Sequence, residues 1–174
     1  SNVTSNSNGD LANDDFIFGS SSLNFDGAPS HYSKMYFDKS KYALRAGYVN
    51  NTNWDEANVG SYSVAFGALN IASGQNSIAA GLSSIASSTY SVAIGYHDTA
   101  SSTATFACGY ANKASGAYSV ALGLRNTAGD NGAFACGGYT EASGQYSFSS
   151  GYSTIASGHY SHASGRSVQS TGYG

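Results

Sequence analysis

A hydrophobic and polar pattern with a period of 14 residues runs through the second part of the chain. Each period has the form G-x-Y-S-V-A-I-G-x-x-x-I-A-S, and residues 90–95 read YSVAIG. Glycine recurs in register at Gly67, Gly81, Gly95, Gly109, Gly123, Gly137, Gly151 and Gly165. A helix-pair repeat needs about 30 residues or more, so this period excludes one. The pattern predicts two short strands and two turns per period, stacked as a parallel β-solenoid with coils about 4.8 Å apart.

Two alanine columns indicate which side chains face the interior of this solenoid. Alanine stands two residues before the glycine in seven of eight periods, with Ser149 the exception, and again five residues after it in seven of eight. Because side chains alternate along a strand, the neighbours of the first alanine point outward. We call them the apolar stripe: Val64, Phe66, Ile78, Val92, Ile94, Phe106, Cys108, Val120, Leu122, Phe134, Cys136 and Phe148.

The opposite packing would place the Val and Ile side chains inside the coil. It would also bury Lys113 and Glu141, at a cost of several kcal/mol each, so the alanine-in packing is favoured. That packing leaves a long apolar face uncovered, which is typical of an interface, and identical chains around an axis would bury it. Cys108 and Cys136 lie two coils apart, beyond disulfide reach within one chain, and are predicted to be small interface hydrophobes.

Charge divides the chain near Gly60. Residues 1–59 hold 11 of the 17 charged residues. The predicted domains are a Ser/Asn/Gly-rich flexible arm at 1–13, an N-terminal cap or tip module at 14–59, and the repeats at 60–174. Within the module, residues 16–18 predict a strand, and residues 34–38 and 42–46 predict a hairpin.

The module has two interpretations. Aromatic side chains such as Tyr36 and Trp54 would pack as a cap over the open end of the solenoid, which is the favoured interpretation. Alternatively, the module is a ligand-binding tip. The candidate binding residues are His31, Tyr32, Tyr36, Tyr48 and Trp54.

Composition and motifs exclude several classes of function. The seven Lys and Arg residues are spread out, and this predicts no nucleic-acid binding. An apolar run long enough for a membrane helix is missing, and phosphate loops, nucleophile motifs and metal-ligand clusters are missing as well. No cofactor, metal or enzymatic activity is therefore expected. A ring of three His162 side chains about an axis would be a candidate ion site, but a solvated end of the roll is favoured.

The S-V-A-I-G steps followed by I-A-S-G resemble the YadA-like head of trimeric autotransporter adhesins over residues 60–171. The resemblance implies a left-handed parallel β-roll, three chains about one axis, and a role at the cell surface in binding a glycan or protein receptor. It also implies that the N-terminal module lies far from the membrane and meets the target first. The chain starts without Met and stops three residues into a ninth repeat, so we expect it to be a fragment of a longer fibre.

Three alternatives remain. Similar repeats occur in phage and viral fibres, where the segment would bind a receptor from the virion. An ice-binding solenoid needs a regular Thr array, whereas the outward column on the second strand mixes Ile, Thr, Lys, Glu and Gln. A polysaccharide-processing enzyme needs clustered carboxylates.

Tyrosines that recur at one turn could stack on sugar rings, although packing at the rim between subunits is favoured.

Overall fold

The computed structural model describes residues 3–5, 16–20 and 24–173. Most of the predicted flexible arm at 1–13 lies outside these residues, although Val3–Ser5 forms strand β1. Strand β2 (Phe16–Phe18) pairs antiparallel with β1 and with β3 (Ser33–Asp38). Strand β3 forms an antiparallel hairpin with β4 (Ala43–Tyr48), which confirms the predicted hairpin. Short 3-10 helices occupy Pro29–His31, Thr52–Trp54 and Glu56–Asn58.

Each 14-residue coil of the repeat contains one long strand and one short strand. The long strands are β5 (Val64–Ala68), β7 (Ile78–Leu82), β9 (Val92–Tyr96), β11 (Phe106–Tyr110), β13 (Val120–Leu124), β15 (Phe134–Gly138), β17 (Phe148–Tyr152) and β19 (His162–Arg166). The short strands are β6 (Ile71–Ala72), β8 (Ile85–Ala86), β10 (Thr99–Ala100), β12 (Lys113–Ala114), β14 (Thr127–Ala128), β16 (Glu141–Ala142), β18 (Ile155–Ala156) and β20 (Gln169–Ser170).

Parallel pairing stacks these coils into a solenoid of two facing sheets. Within the repeat, long strands pair with long strands, as in Val92 opposite Phe106, and short strands with short strands. Every pair is offset by 14 residues, so equivalent positions form straight columns. At the N-terminal end β4 joins the long-strand sheet, with Gly47 opposite Gly67. The predicted all-β parallel solenoid of 14-residue coils is confirmed.

The alanine columns line the interior. Ala65 and Ala72 are both 0% exposed, and this holds for the equivalent alanines of the following coils as far as Ala142. Lys113 and Glu141 lie on the outer surface of the short strands. The alanine-in packing is therefore confirmed, because the coil is too thin to hold larger side chains between its sheets. The opposite packing is wrong.

The repeated glycine allows the backbone to turn at the end of each long strand. Gly123 has φ +115°, a conformation that L side chains rarely adopt. A Cβ on Gly123 would lie 2.2 Å from the carbonyl oxygen of Gly137 in the next coil. Positive φ and close stacking both require glycine at this position. The spacing of 14 residues between successive glycines therefore equals the length of one coil.

Candidate functional site

Two of the predicted tip residues lie in the interior. Trp54 and Tyr36 are each 1% exposed, with their rings edge-to-face at 6.3 Å. The Tyr36 hydroxyl donates to the Trp54 carbonyl at 2.9 Å, and Trp54 Nε1 donates to the Asn70 carbonyl at 2.9 Å. Burial raises the pKa of Tyr36 well above its ordinary value. Neither side chain is available to a ligand, so both pack in the interior as the favoured interpretation predicts, and the alternative binding role is wrong for both.

Arg45 stands opposite Tyr36 in the hairpin and ends the first alanine column. It is 0% exposed and stands opposite Ala65 on the neighbouring strand. Its guanidinium donates to the Ser63 carbonyl at 3.1 Å, the Ser63 hydroxyl at 2.8 Å and the Ala72 carbonyl at 2.9 Å. Arg45 therefore connects both sheets of the first coil to the N-terminal module.

The other three predicted tip residues form part of the surface. Tyr32 stacks on Phe25 at 5.8 Å and contacts Tyr48 edge-to-face at 6.0 Å. His31 Nδ1 lies 2.6 Å from Asp26 Oδ2, and this hydrogen bond lowers the pKa of the Asp26 carboxyl. We call His31, Tyr32 and Tyr48, with Phe25, the tip cluster.

The apolar stripe covers the outer face of the long-strand sheet. Its members remain accessible in the single chain: Phe66 is 44% exposed and Ile94 38%. Phe134 and Phe148 stack in adjacent coils with their ring centroids 5.3 Å apart. Cys108 and Cys136 are free and lie on β11 and β15, with β13 between them, as the sequence predicts. Burial raises the pKa of the Cys136 thiol, consistent with a packing role.

The stripe turns polar in the last coil. His162 follows Phe148 in the column and contacts its ring edge-to-face at 4.9 Å. Ser150 donates to Ser164 in the neighbouring column at 3.0 Å. Within the described residues, no group of three or more His, Cys, Asp or Glu side chains could hold a metal ion.

A buried polar column runs beside the second alanine column, and the sequence analysis missed it. We call it the polar ladder: Asn70, Ser84, Asp98, Asn112, Asn126, Thr140 and Thr154, each three residues after the glycine. Asn126 is typical, because its Oδ1 accepts from the Thr140 backbone N–H at 2.8 Å and its Nδ2 donates to the Gly137 carbonyl at 2.8 Å. In the sequence a polar residue recurs every 14 positions at this place in the repeat, and that periodicity predicts the ladder.

A family comparison settles what the repeated coils are. The family model described as "YadA head domain repeat (2 copies)" matches residues 72–97, 100–126 and 142–167. The chain carries YadA head repeats. The three matches lie within the stacked coils, so the YadA head repeats provide both the alanine interior and the outward apolar stripe.

The matched ranges are similar to the head repeats of a structural adhesin family. No curated protein and no solved structure matches the chain. Among the residues that the structure describes, none of the helices is long and apolar enough to cross a membrane. The matched ranges leave out the tip cluster and its supporting strands.

Proposed function

We propose that this chain is the head of a trimeric, non-enzymatic surface fibre that attaches its bearer to a target cell or surface. In this proposal the roll is left-handed, the head lies outside the cell, and three chains pack about one axis. The observation that carries the proposal is the exposed apolar stripe, supported by the match to YadA head repeats.

The stripe has the properties of an oligomer interface. It extends along the solenoid on one sheet face, and its members from Val64 to Phe148 include no charged residue. Full burial of a single Val, Leu, Ile or Phe side chain stabilises by about 1.5–3 kcal/mol, so a stripe of this length is a strong driving force for association. The opposite face carries Lys113 and Glu141, which suit contact with water.

The N-terminal module would cap the roll and present the tip cluster. Arg45 and Trp54 fix the module to the first coil through buried hydrogen bonds. Tyr32 and Tyr48 lie on the outside of that support, with Phe25 and His31 beside them. A rigid aromatic cluster of this kind offers apolar contact area with polar tips, which suits a protein or glycan receptor.

Sedimentation of the wild-type chain and two matched variants tests the trimer. We expect a mass near three times 17.8 kDa for the wild type. Leu122→Glu introduces a charge into the stripe and should give monomers. Thr127→Glu introduces the same charge in the column that already holds Glu141, and it should remain trimeric. A folded wild-type monomer at micromolar concentration would contradict the proposed assembly.

Attachment is tested separately with Tyr32→Ala and Tyr48→Ala, which alter the surface and leave Arg45 and Trp54 in place. If the tip cluster binds the target, both variants remain trimers and lose attachment to host cells. Lys113→Ala, on the short-strand face, is the control and should attach like the wild type. Attachment that is unchanged in both tyrosine variants would exclude the tip cluster as the binding site.

A further inference from the structure

A second set of tyrosines occupies the turn that precedes β4 and five of the eight long strands. We call it the tyrosine row: Tyr42, Tyr62, Tyr90, Tyr118, Tyr146 and Tyr160. All six have left-handed backbone conformations, with φ between 53° and 60°. All six side chains are exposed, from 53% for Tyr62 to 69% for Tyr118. The row therefore presents aromatic rings to solvent along the length of the roll.

The fold does not require tyrosine at these positions. Asn76 and Gly132 occupy the same turn in other coils, with φ 55° and 65°. Their backbone N–H groups make the same bond to the preceding coil, at 2.9 and 2.8 Å, as that of Tyr118, at 2.9 Å. A bulky residue in this conformation costs about 1–2 kcal/mol, whereas Asn and Gly adopt it readily. The turn itself therefore does not favour tyrosine. Among the described residues, Tyr90 and Tyr118 make no ring contact, so their rings are available to a partner outside the chain.

The spacing within the row is regular. Tyr62, Tyr90, Tyr118 and Tyr146 lie two coils apart, or about 9–10 Å at the usual strand spacing. The coils between them hold the smaller residues Asn76, Ala104 and Gly132, which leave room beside each ring. The Tyr146 ring lies against Gly132, where a Cβ would be only 2.4 Å from Cδ1.

At both ends of the row two rings stack in adjacent coils. The Tyr42 and Tyr62 rings are 5.3 Å apart and nearly parallel, and those of Tyr146 and Tyr160 are 5.7 Å apart. The rings therefore form a periodic series of flat apolar platforms that begins and ends with a pair.

The surroundings of the row are polar and nearly uncharged. The residues that precede the tyrosines and their equivalents are Ser61, Gln75, Thr89, Thr103, Ala117, Asn131, Gln145 and His159. Lys41 and Asp130 are the charged residues that lie next to this turn in the sequence. Aromatic faces flanked by hydroxyl and amide groups match the apolar faces and hydroxyl edges of sugars. The scarcity of charge favours an uncharged ligand over a polyanion.

We propose that the tyrosine row binds an extended, uncharged glycan chain that lies along the roll. A polymer with regular units fits a regular series of platforms better than an irregular protein surface does. This inference rests on the proposed function, which it deepens by assigning a ligand class and a second binding surface on the side of the head. It is the alternative to the predicted rim packing between subunits, and the experiment below distinguishes the two.

Affinity electrophoresis in gels that contain one soluble polysaccharide tests the proposal. The neutral probes are hydroxyethyl cellulose, xyloglucan, mannan and dextran, and hyaluronate is the charged comparison. The test variant is Y90N/Y118N/Y146N, because Asn76 shows that the turn accepts Asn. The control is Y96L/Y110L/Y152L at the opposite turn, where Leu82 and Leu124 already occupy the column.

We expect at least one neutral polysaccharide to retard the wild type and the control equally, with no dependence on salt. The triple Asn variant should bind at least about tenfold more weakly, because three aromatic contacts are lost. Failure of all four neutral probes to retard the wild type overturns the inference. An equal loss in the control, or retardation by hyaluronate alone, also overturns it.

Two further readouts separate this inference from the proposed function. Sedimentation shows whether the triple Asn variant remains an oligomer, and dissociation would mean that the row is a contact between chains. If the triple Asn variant loses cell attachment and no polysaccharide retards the wild type, the row has a protein partner. That result would overturn the glycan assignment. Wild type that attaches to cells without binding any neutral glycan supports the adhesin head and rejects the glycan site.

Discussion

Asn112 donates from Nδ2 to Oδ1 of Asp98 at 2.9 Å, and its backbone N–H donates to the same oxygen at 2.8 Å. Asp98 is 0% exposed and occupies a position in the polar ladder where Asn70, Asn112 and Asn126 have an amide. The other carboxyl oxygen, Oδ2, is buried without a hydrogen-bond partner among the described residues. In Asn112 the equivalent atom, Nδ2, also donates to the carbonyls of Cys108 and Gly123. An acid at this place can replace the amide donor only when it carries a proton.

The first prediction concerns the pH dependence of stability. Burial raises the pKa of Asp98, so the folded state retains a proton that the unfolded chain loses near the ordinary value of about 3.9. The contribution of Asp98 is fully present below that value and is lost as pH rises to the folded-state pKa. Chemical denaturation across pH 3–8 should show this loss in the wild type. Asp98→Asn should abolish that part of the pH dependence and add about 1–3 kcal/mol at pH 7.

The matched variant for this experiment is Asn126→Asp, two ladder positions further along the stack. It removes the amide that donates to the Leu122 and Gly137 carbonyls, at 2.6 and 2.8 Å. In this variant the buried carboxyl at position 126 should make the free energy of unfolding fall with rising pH, as the Asp98 carboxyl does in the wild type. Equal pH profiles for wild type, Asp98→Asn and Asn126→Asp would show that the ladder does not discriminate between an acid and an amide.

The second prediction compares two glycines that differ in backbone φ and in the space available for an added Cβ. Gly123→Ala would place Cβ 2.2 Å from the Gly137 carbonyl oxygen at φ +115°, so the backbone of both coils must shift. The expected loss is about 3 kcal/mol or more, since strain and a close contact coincide. Gly129→Ala is the control, because its nearest atom would be 3.8 Å away. Thermal denaturation at one protein concentration measures both, and similar midpoints would contradict the argument.

The third prediction concerns Arg45. Arg45→Ala removes the donors to the Ser63 and Ala72 carbonyls and leaves a cavity in place of a fully buried side chain, so stability should fall by about 2–4 kcal/mol. Arg45→Met keeps much of the volume without the donors, and it separates packing from hydrogen bonding. Urea denaturation followed by Trp54 fluorescence gives both values. A Met variant as stable as the wild type would show that Arg45 acts by filling space.

The fourth prediction uses the left-handed turn of the tyrosine row. Tyr118 has φ 60° and makes no ring contact within the described residues, so Tyr118→Asn should stabilise the chain by about 1 kcal/mol. Tyr146→Asn relieves the same strain but loses the stack with Tyr160, and it should gain less. Differential scanning calorimetry compares the two variants. If both destabilise the chain equally, the rings stabilise the roll itself.

The repeat could be predicted from the sequence because each coil presents the same physical problem at the same place. Gly123 must turn and leave space for the next coil, and Ala121 must fit between two close sheets, so their spacing reports the coil directly. The outward direction of Leu122 follows from strand alternation. These features are local to one coil and are repeated in each coil, which makes them visible against chance.

The polar ladder and the N-terminal module were harder to predict for different reasons. Asn112 and Asp98 interact across coils, and a buried polar side chain can be recognised only when its partners are known. The roles of Tyr36 and Trp54 depended on tertiary packing, since an aromatic residue suits a core as well as a binding surface. Their burial follows from contacts with Asn70 and with each other, and no periodic pattern in the sequence predicts these contacts.

The constant offset of 14 residues between the paired strands of the repeat has a consequence for how such chains change length. Loss or duplication of one complete coil preserves every column, from Ala65 onward, whereas a change of one residue within a strand would turn alanines out and stripe residues in. Evolution can therefore vary the height of this head only in increments of one strand spacing, about 4.8 Å. The smallest possible change in the height of the roll is therefore set by the backbone hydrogen bonds between neighbouring strands.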